Sequence, residues 1–238
     1  MSALEWMVAL VVTALAAMLQ GVVGLGFAMV SVPILSLIDP RLAPVPQLLI
    51  TIPLTVSMAW RERHAMDLSG AAWIIAGRVP GALIGLVFLA IVTGAALDVM
   101  IAVIVLIAVA IIASGYHVSR HPGTDFTAGV FSGTSSLVAS IGGPPLALLY
   151  TNAEGETIRS SLAAVFSVGI LITVGVRAVS GNITASDLRV AAVLFPALLV
   201  GYLLSNSLKD RVTNRQLKAA ILVLSSLAAI GLLIRAAG

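Results

Sequence analysis

Arg78 sits where an arginine is expensive. It lies eight residues into an apolar stretch, 70–92, about 12 Å from the start of a helix rising 1.5 Å per residue. A cation at that depth costs roughly 3 kcal/mol to insert and by default marks a pathway or a paired site. The alternative is a long side chain that snorkels to the interface. Held inside, its guanidinium would attract an anion.

Two breaks in apolar segments offer a second kind of anion chemistry. In Gln20-Gly21-Val22-Val23-Gly24-Leu25-Gly26-Phe27 the glycines let backbone approach a ligand closely. A helix starting there would aim N–H groups and the positive end of its dipole into the break. Gln20, Gly21, Gly24 and Gly26 are therefore candidate binding residues. The second half offers two counterparts. Sliding the sequence by 112 positions lays Gln20–Leu25 on Ser132-Gly133-Thr134-Ser135-Ser136-Leu137, and Pro33 on Pro145. This selects Ser132, Thr134, Ser135 and Ser136. Local chemistry selects Ser140-Ile141-Gly142-Gly143-Pro144-Pro145 instead, because proline favours a first helical turn; its candidates are Ser140, Gly142 and Gly143. Both remain open, as does the alternative that small residues serve close helix packing.

A shift of 116 lays Arg61 on Arg177, Pro80 on Pro196 and Gly85 on Gly201. It also pairs Thr51 with Ser167 and Ser57 with Thr173. Paired hydroxyls could line a central cavity, unless each bonds its own helix backbone; Thr51, Ser167 and the amide of Gln47 are candidates on this basis. Arg61 and Arg177 sit at segment ends, as topology anchors do. His64, His117 and His121 fall in loops without a metal-binding spacing, so no metal or cofactor is expected. Asp67, Asp98, Asp125, Asp187 and Asp210 flank helices, leaving no visible carboxylate relay.

These residues need elements to carry them. Of 238 residues, 60% are hydrophobic and 10% charged, with a mean hydropathy of +1.13. Soluble domains carry roughly a quarter charged residues, so the chain is expected to be an all-α integral membrane protein with one domain, 1–238. The net charge of +3 reflects basic residues at helix ends and in short loops, where they set topology, and nucleic-acid binding is not expected. Without cysteine, disulfides and thiol chemistry are excluded. The N-terminus lacks the basic region of a cleaved signal.

Apolar runs give a broken stretch, 4–38, interrupted at 20–26, then spans at 44–60, 70–92 and 97–116. A second broken stretch, 124–150, precedes spans at 157–178, 188–204 and 216–234. Limbs 7–19 and 27–38 would reach only about 20 and 18 Å as helices, short of a core of about 30 Å. A re-entrant hairpin is expected. Either way each stretch adds an even number of crossings and three spans follow. The second repeat, 121–238, is therefore inverted relative to the first, 1–120. One face then receives Arg61, Arg63, Arg120, Arg159, Lys209, Arg211, Arg215 and Lys218, the other Arg41, Arg177, Arg189 and Arg235. The more basic face is expected to be cytoplasmic, with both termini outside.

At the duplicated breaks the chain resembles the sulfite exporter TauE/SafE family of anion permeases. The resemblance rests on Gln20–Phe27 with Pro33, on Ile141-Gly142-Gly143-Pro144-Pro145-Leu146, and on Pro80-Gly81-Ala82-Leu83-Ile84-Gly85. It covers essentially the whole chain. It implies movement of sulfur-containing or organic anions such as sulfite, sulfoacetate, thiosulfate or taurine-derived products, in a multi-pass cell membrane protein. The chain departs from the family's fuller glycine run at Ala28-Met29-Val30-Ser31.

The expected function is secondary transport of a small anion held at the opposed breaks, by rocking one repeat against the other. A passive anion channel is the alternative. An intramembrane enzyme is less well supported, since no histidine lies in a span to activate Ser132. No GxxxxGK[ST] loop binds ATP. A small anion and bilayer lipid are the expected partners; a coupling proton or ion and an oligomer are compatible with the chain.

Overall fold

The fold was obtained as a computed structural model that describes residues 1–92, 94–150, 153–209 and 214–237, without the side chains of Asn214 and Arg215. Asp210, Arg211 and the Arg215 side chain, assigned above to helix flanks or to the basic face, lie outside the described residues. The described chain is helical: α1 (Ala3–Val23), α2 (Phe27–Ile38), α3 (Val45–Arg61), α4 (Ala71–Ile91), α5 (Ala95–Ser114), α6 (Pro122–Ala139), α7 (Gly143–Ala147), α8 (Gly155–Val179), α9 (Ala185–Leu208) and α10 (Asn214–Ala237). Among the described residues, seven helical segments are long and apolar enough to cross a membrane: α1, Pro40–Arg61, α4, α5, α8, α9 and Gln216–Ala237.

Local sequence explains the ends. α1 starts with a capping box between Ser2 and Glu5 and stops at Gly24, whose φ of 94° reverses the chain. Thr184 and Asp187 form the same box on α9. Pro122 opens α6 behind His121, whose ring nitrogen accepts from Gly123 and Thr124 N–H.

The first limb is longer than the sequence suggests. Gln20 to Val23 continue α1 instead of breaking it, giving 21 residues, or about 31 Å. The turn is confined to residues 24–26, because only Gly24 and Gly26 adopt positive φ there. The limb after it stays short, with 12 residues in α2.

Packing crosses between the two halves of the chain. α4 lies along α6, and α1 along α9, while α3 packs on α8 and α5 on α10. Glycines set these approaches. A Cβ on Gly77 or Gly81 would sit 2.1 or 2.2 Å from the carbonyl oxygens of Phe126 and Val130, and one on Gly129 2.2 Å from that of Ile74. On the other pair, Gly201 meets the Ala14 carbonyl at 2.0 Å and Gly21 meets Ser205 Oγ at 2.2 Å. Between lipid-facing helices such backbone approach is the main source of packing energy. The surrounding surface is apolar, with residues such as Leu83, Val87, Leu203 and Leu227 exposed.

Candidate functional site

A small cavity of about 40 Å³ lies where the two broken stretches meet. Gln20, Leu25, Gly26, Ala28 and Met29 reach it from the first break, and Ser136, Ser140, Ile141, Gly142, Gly143 and Pro144 from the second. Thr51 of α3, Arg78 of α4, and Phe166 and Ile170 of α8 complete the lining. The tips are close: a Cβ built on Gly143 would stand 3.7 Å from Leu25 Cβ.

Arg78 is 1% exposed, so it does not snorkel. Its Nη1 donates to Ser132 Oγ at 2.7 Å, and that hydroxyl donates to the Gly142 carbonyl at 2.6 Å. Nε and Nη2 are buried without a partner, and Arg78 forms no ion pair among the described residues. Gly169 makes room for the side chain, since a Cβ there would lie 2.1 Å from Arg78 Nε. An arginine keeps its charge in such a place, and burial of an unpaired charge is among the costliest arrangements a protein can hold.

The geometry separates the two candidate second breaks. Ser132–Ser136 lie inside the continuous helix α6, and the turn is at Ser140, with φ of 60°. The 112 shift is therefore corrected to 116 at the breaks. Gly24 and Ser140, both left-handed, stand 116 apart. So do Gly21 and Leu137, whose carbonyls accept from Arg61 Nη2 at 2.7 Å and Arg177 Nε at 3.0 Å. Arg61 and Arg177 thus do more than anchor helix ends: each fastens the last carbonyls of a broken helix.

The two breaks are chemically unequal. Gln20 Oε1 accepts from Phe27 N–H at 3.0 Å, so the first N–H of α2 is not free for a ligand, contrary to the expectation. In α7, five residues long, Pro144 and Pro145 remove two further donors.

Several candidate residues have other occupations. Gly21 packs on Ser205, and Gly24 lies over the Arg159 side chain rather than in the cavity lining. Gln47 is fully buried near the start of α3, donating to the Leu42 carbonyl at 3.3 Å. Thr51 lines the cavity, but its hydroxyl donates to its own helix at Gln47. Ser167 bonds Ala163 and is not brought to the cavity. Thr134 ties α6 to the Gly81 carbonyl of α4, and Ser135 bonds Phe131 and Ser132. Ser136 meets Thr173 at 3.3 Å, and Ser140 Oγ donates to the Pro44 carbonyl at 2.9 Å.

A buried carboxylate escaped the sequence reading. Glu62, just past the end of α3, is 2% exposed and receives Arg159 Nε at 2.8 Å and Nη2 at 2.9 Å. The signal was a lone glutamate between Arg61 and Arg63 at a segment end, which reads as loop charge. Phe166, Gly169 and Ile170 carry no sequence signal beyond apolarity and small size.

The family model of the sulfite exporter TauE/SafE matches residues 9–232. No curated protein and no solved structure matches the chain. The match spans nearly the whole chain, so this protein belongs to the sulfite exporter TauE/SafE family. It is a membrane transporter by family and a multi-pass membrane protein by its apolar helices.

Proposed function

We propose, from that membership and from the cavity, that the protein is a secondary transporter of a small sulfur-containing or organic anion, of the sulfite and organosulfonate class. One observation carries the proposal: Arg78 lines a cavity bounded by both breaks, and two of its buried nitrogens have no protein partner. A bound anion supplies the countercharge and the acceptors that the guanidinium lacks. Ser132 holds the guanidinium in place, while Gly26, Gly142 and Gly143 let backbone close around the ligand. At about 40 Å³ the cavity admits an ion of a few heavy atoms.

Transport requires access from both faces in turn. The crossed pairing of α1 with α9 and α6 with α4, and the recurrence of Arg61 and Arg177 at a spacing of 116, support two inverted repeats that rock about the cavity. The face bearing Arg61, Arg63, Arg120, Arg159 and Lys209 is then cytoplasmic and both termini lie outside. A permanently open channel fits less well, because the cavity between the hairpin tips is only about 40 Å³.

The test is uptake into proteoliposomes of labelled sulfite, sulfate, thiosulfate, sulfoacetate and taurine. Saturable counterflow of one sulfur anion, reduced at least tenfold by Arg78→Ala but not by Arg63→Ala, is expected. Ohmic single-channel currents, or equal effects of the two substitutions, would refute the proposal.

A further inference from the structure

The two ends of α8, which lines the cavity, are held by different chemistry. Along one face of α8 run Arg159, Phe166, Ile170 and Arg177, the middle two lining the cavity. At the basic face, the Arg159 fork grips Glu62, which also lies 3.4 Å from Arg61 and 3.5 Å from Lys209. Arg159 Nη1 reaches the Val22 carbonyl at 3.4 Å, and its stem lies against Gly24. Arg61 adds bonds to the Gly21 carbonyl and to Asn206. The ends of α1, α3, α8 and α9 are thereby tied together beneath the first break.

The opposite face has the latch without the ion pair. Arg177 fastens the Leu137 and Val138 carbonyls and makes no ion pair among the described residues. The positions 116 away from Glu62 and Arg159 are Ala178 and Ala43. Asp187, at the start of α9, bonds Thr184 instead.

We infer that Glu62 and Arg159 form a lock that holds the cavity shut on the basic face, so that it opens more readily on the Arg177 face. The inference rests on the alternating-access reading. Opening the basic face must part α3 from α8, separating a buried bidentate pair and leaving Arg159 without its carboxylate. Opening the other face exchanges bonds to carbonyls for bonds to water, which costs far less.

The chain has no cysteine, so one engineered thiol reports alone. Ala28→Cys places it in the cavity lining. Its modification by a small, membrane-impermeant, negatively charged methanethiosulfonate is timed from each face of oriented vesicles, in sulfite-free buffer because sulfite consumes the reagent. The unaltered lock should give faster labelling from the Arg177 face. Glu62→Gln should raise the rate from the basic face at least tenfold, and Glu62→Arg with Arg159→Glu should bring it back. Where Glu62→Gln is recovered poorly, Glu62→Asp, which keeps charge but shortens reach, should shift the rate the same way. A basic-face rate within twofold of the original in a folded Glu62 variant would overturn the lock. Labelling from neither face in any variant would instead overturn alternating access, and the lock with it.

Discussion

Arg78 forms one side-chain hydrogen bond, to Ser132, in a pocket shaped by Gly169. The two neighbours act on it differently, and substitutions can tell them apart. Ser132→Ala removes a charge-assisted bond, worth about 1.5–3 kcal/mol at a buried site. It should weaken anion binding by roughly ten- to a hundredfold with the fold retained, read by isothermal titration. Gly169→Ala would set a methyl 2.1 Å from Nε and force the guanidinium off its position. The expected result is loss of binding comparable to Arg78→Ala, with an unchanged elution profile on size exclusion. Full binding by Gly169→Ala would show that the guanidinium need not sit where the structure places it.

At the scale of the elements, the broken helices turn on two left-handed residues that tolerate change unequally. Gly24→Ala puts a Cβ at φ of 94° and 3.0 Å from Arg159 Cγ, which should lower thermal stability by about 1–3 kcal/mol. Ser140→Gly relieves its own φ of 60° but gives up the bond to Pro44, so its net effect should lie within about 1 kcal/mol of zero. Melting curves of the two variants check the difference. The spans were legible because bilayer thickness demands long apolar runs, and Arg78 was legible because charge is conspicuous among them. The second break was legible only as one of two candidates: local chemistry pointed to Ser140–Pro145, where the turn lies, and the 112 shift pointed to Ser132–Ser136. Ser132–Ser135 aligns with Gln20–Val23 under the 112 shift, yet both tracts are helical, and the turn follows each of them at a residue able to adopt positive φ. Glu62 was missed for a related reason: a carboxylate at a helix end is ordinary in sequence, and only the fold reveals that α8 and α9 cover it. Phe166, Ile170 and Gly169 became part of the site through the packing of α8 against α3 and α4, which periodicity does not report.

For the whole molecule, charge is sorted by depth. Ion pairs gather at the two ends, as with Arg120 beside Asp67 and Asp125, Arg41 beside Asp39, and Arg235 beside Asp98, while the centre holds one arginine with no carboxylate paired to it. Asp67 and Asp39, outside the spans, have carboxyl groups held below their usual range, mainly by bonds from Ser69 and Arg41 respectively. A lowered folded-state value means their stabilisation is complete above the ordinary carboxylate range and is lost as pH falls through the lowered values. Their contribution to the melting temperature should therefore be flat from about pH 8 to pH 5 and decline only below about pH 4. The central claim is that Arg78, the cation lining the cavity, is the anion's seat. Equilibrium binding of labelled sulfite to the purified protein and to Arg78→Gln, each shown to be folded, tests it most directly. Saturable binding by the first and none by the second is predicted. Equal binding by both would contradict the account.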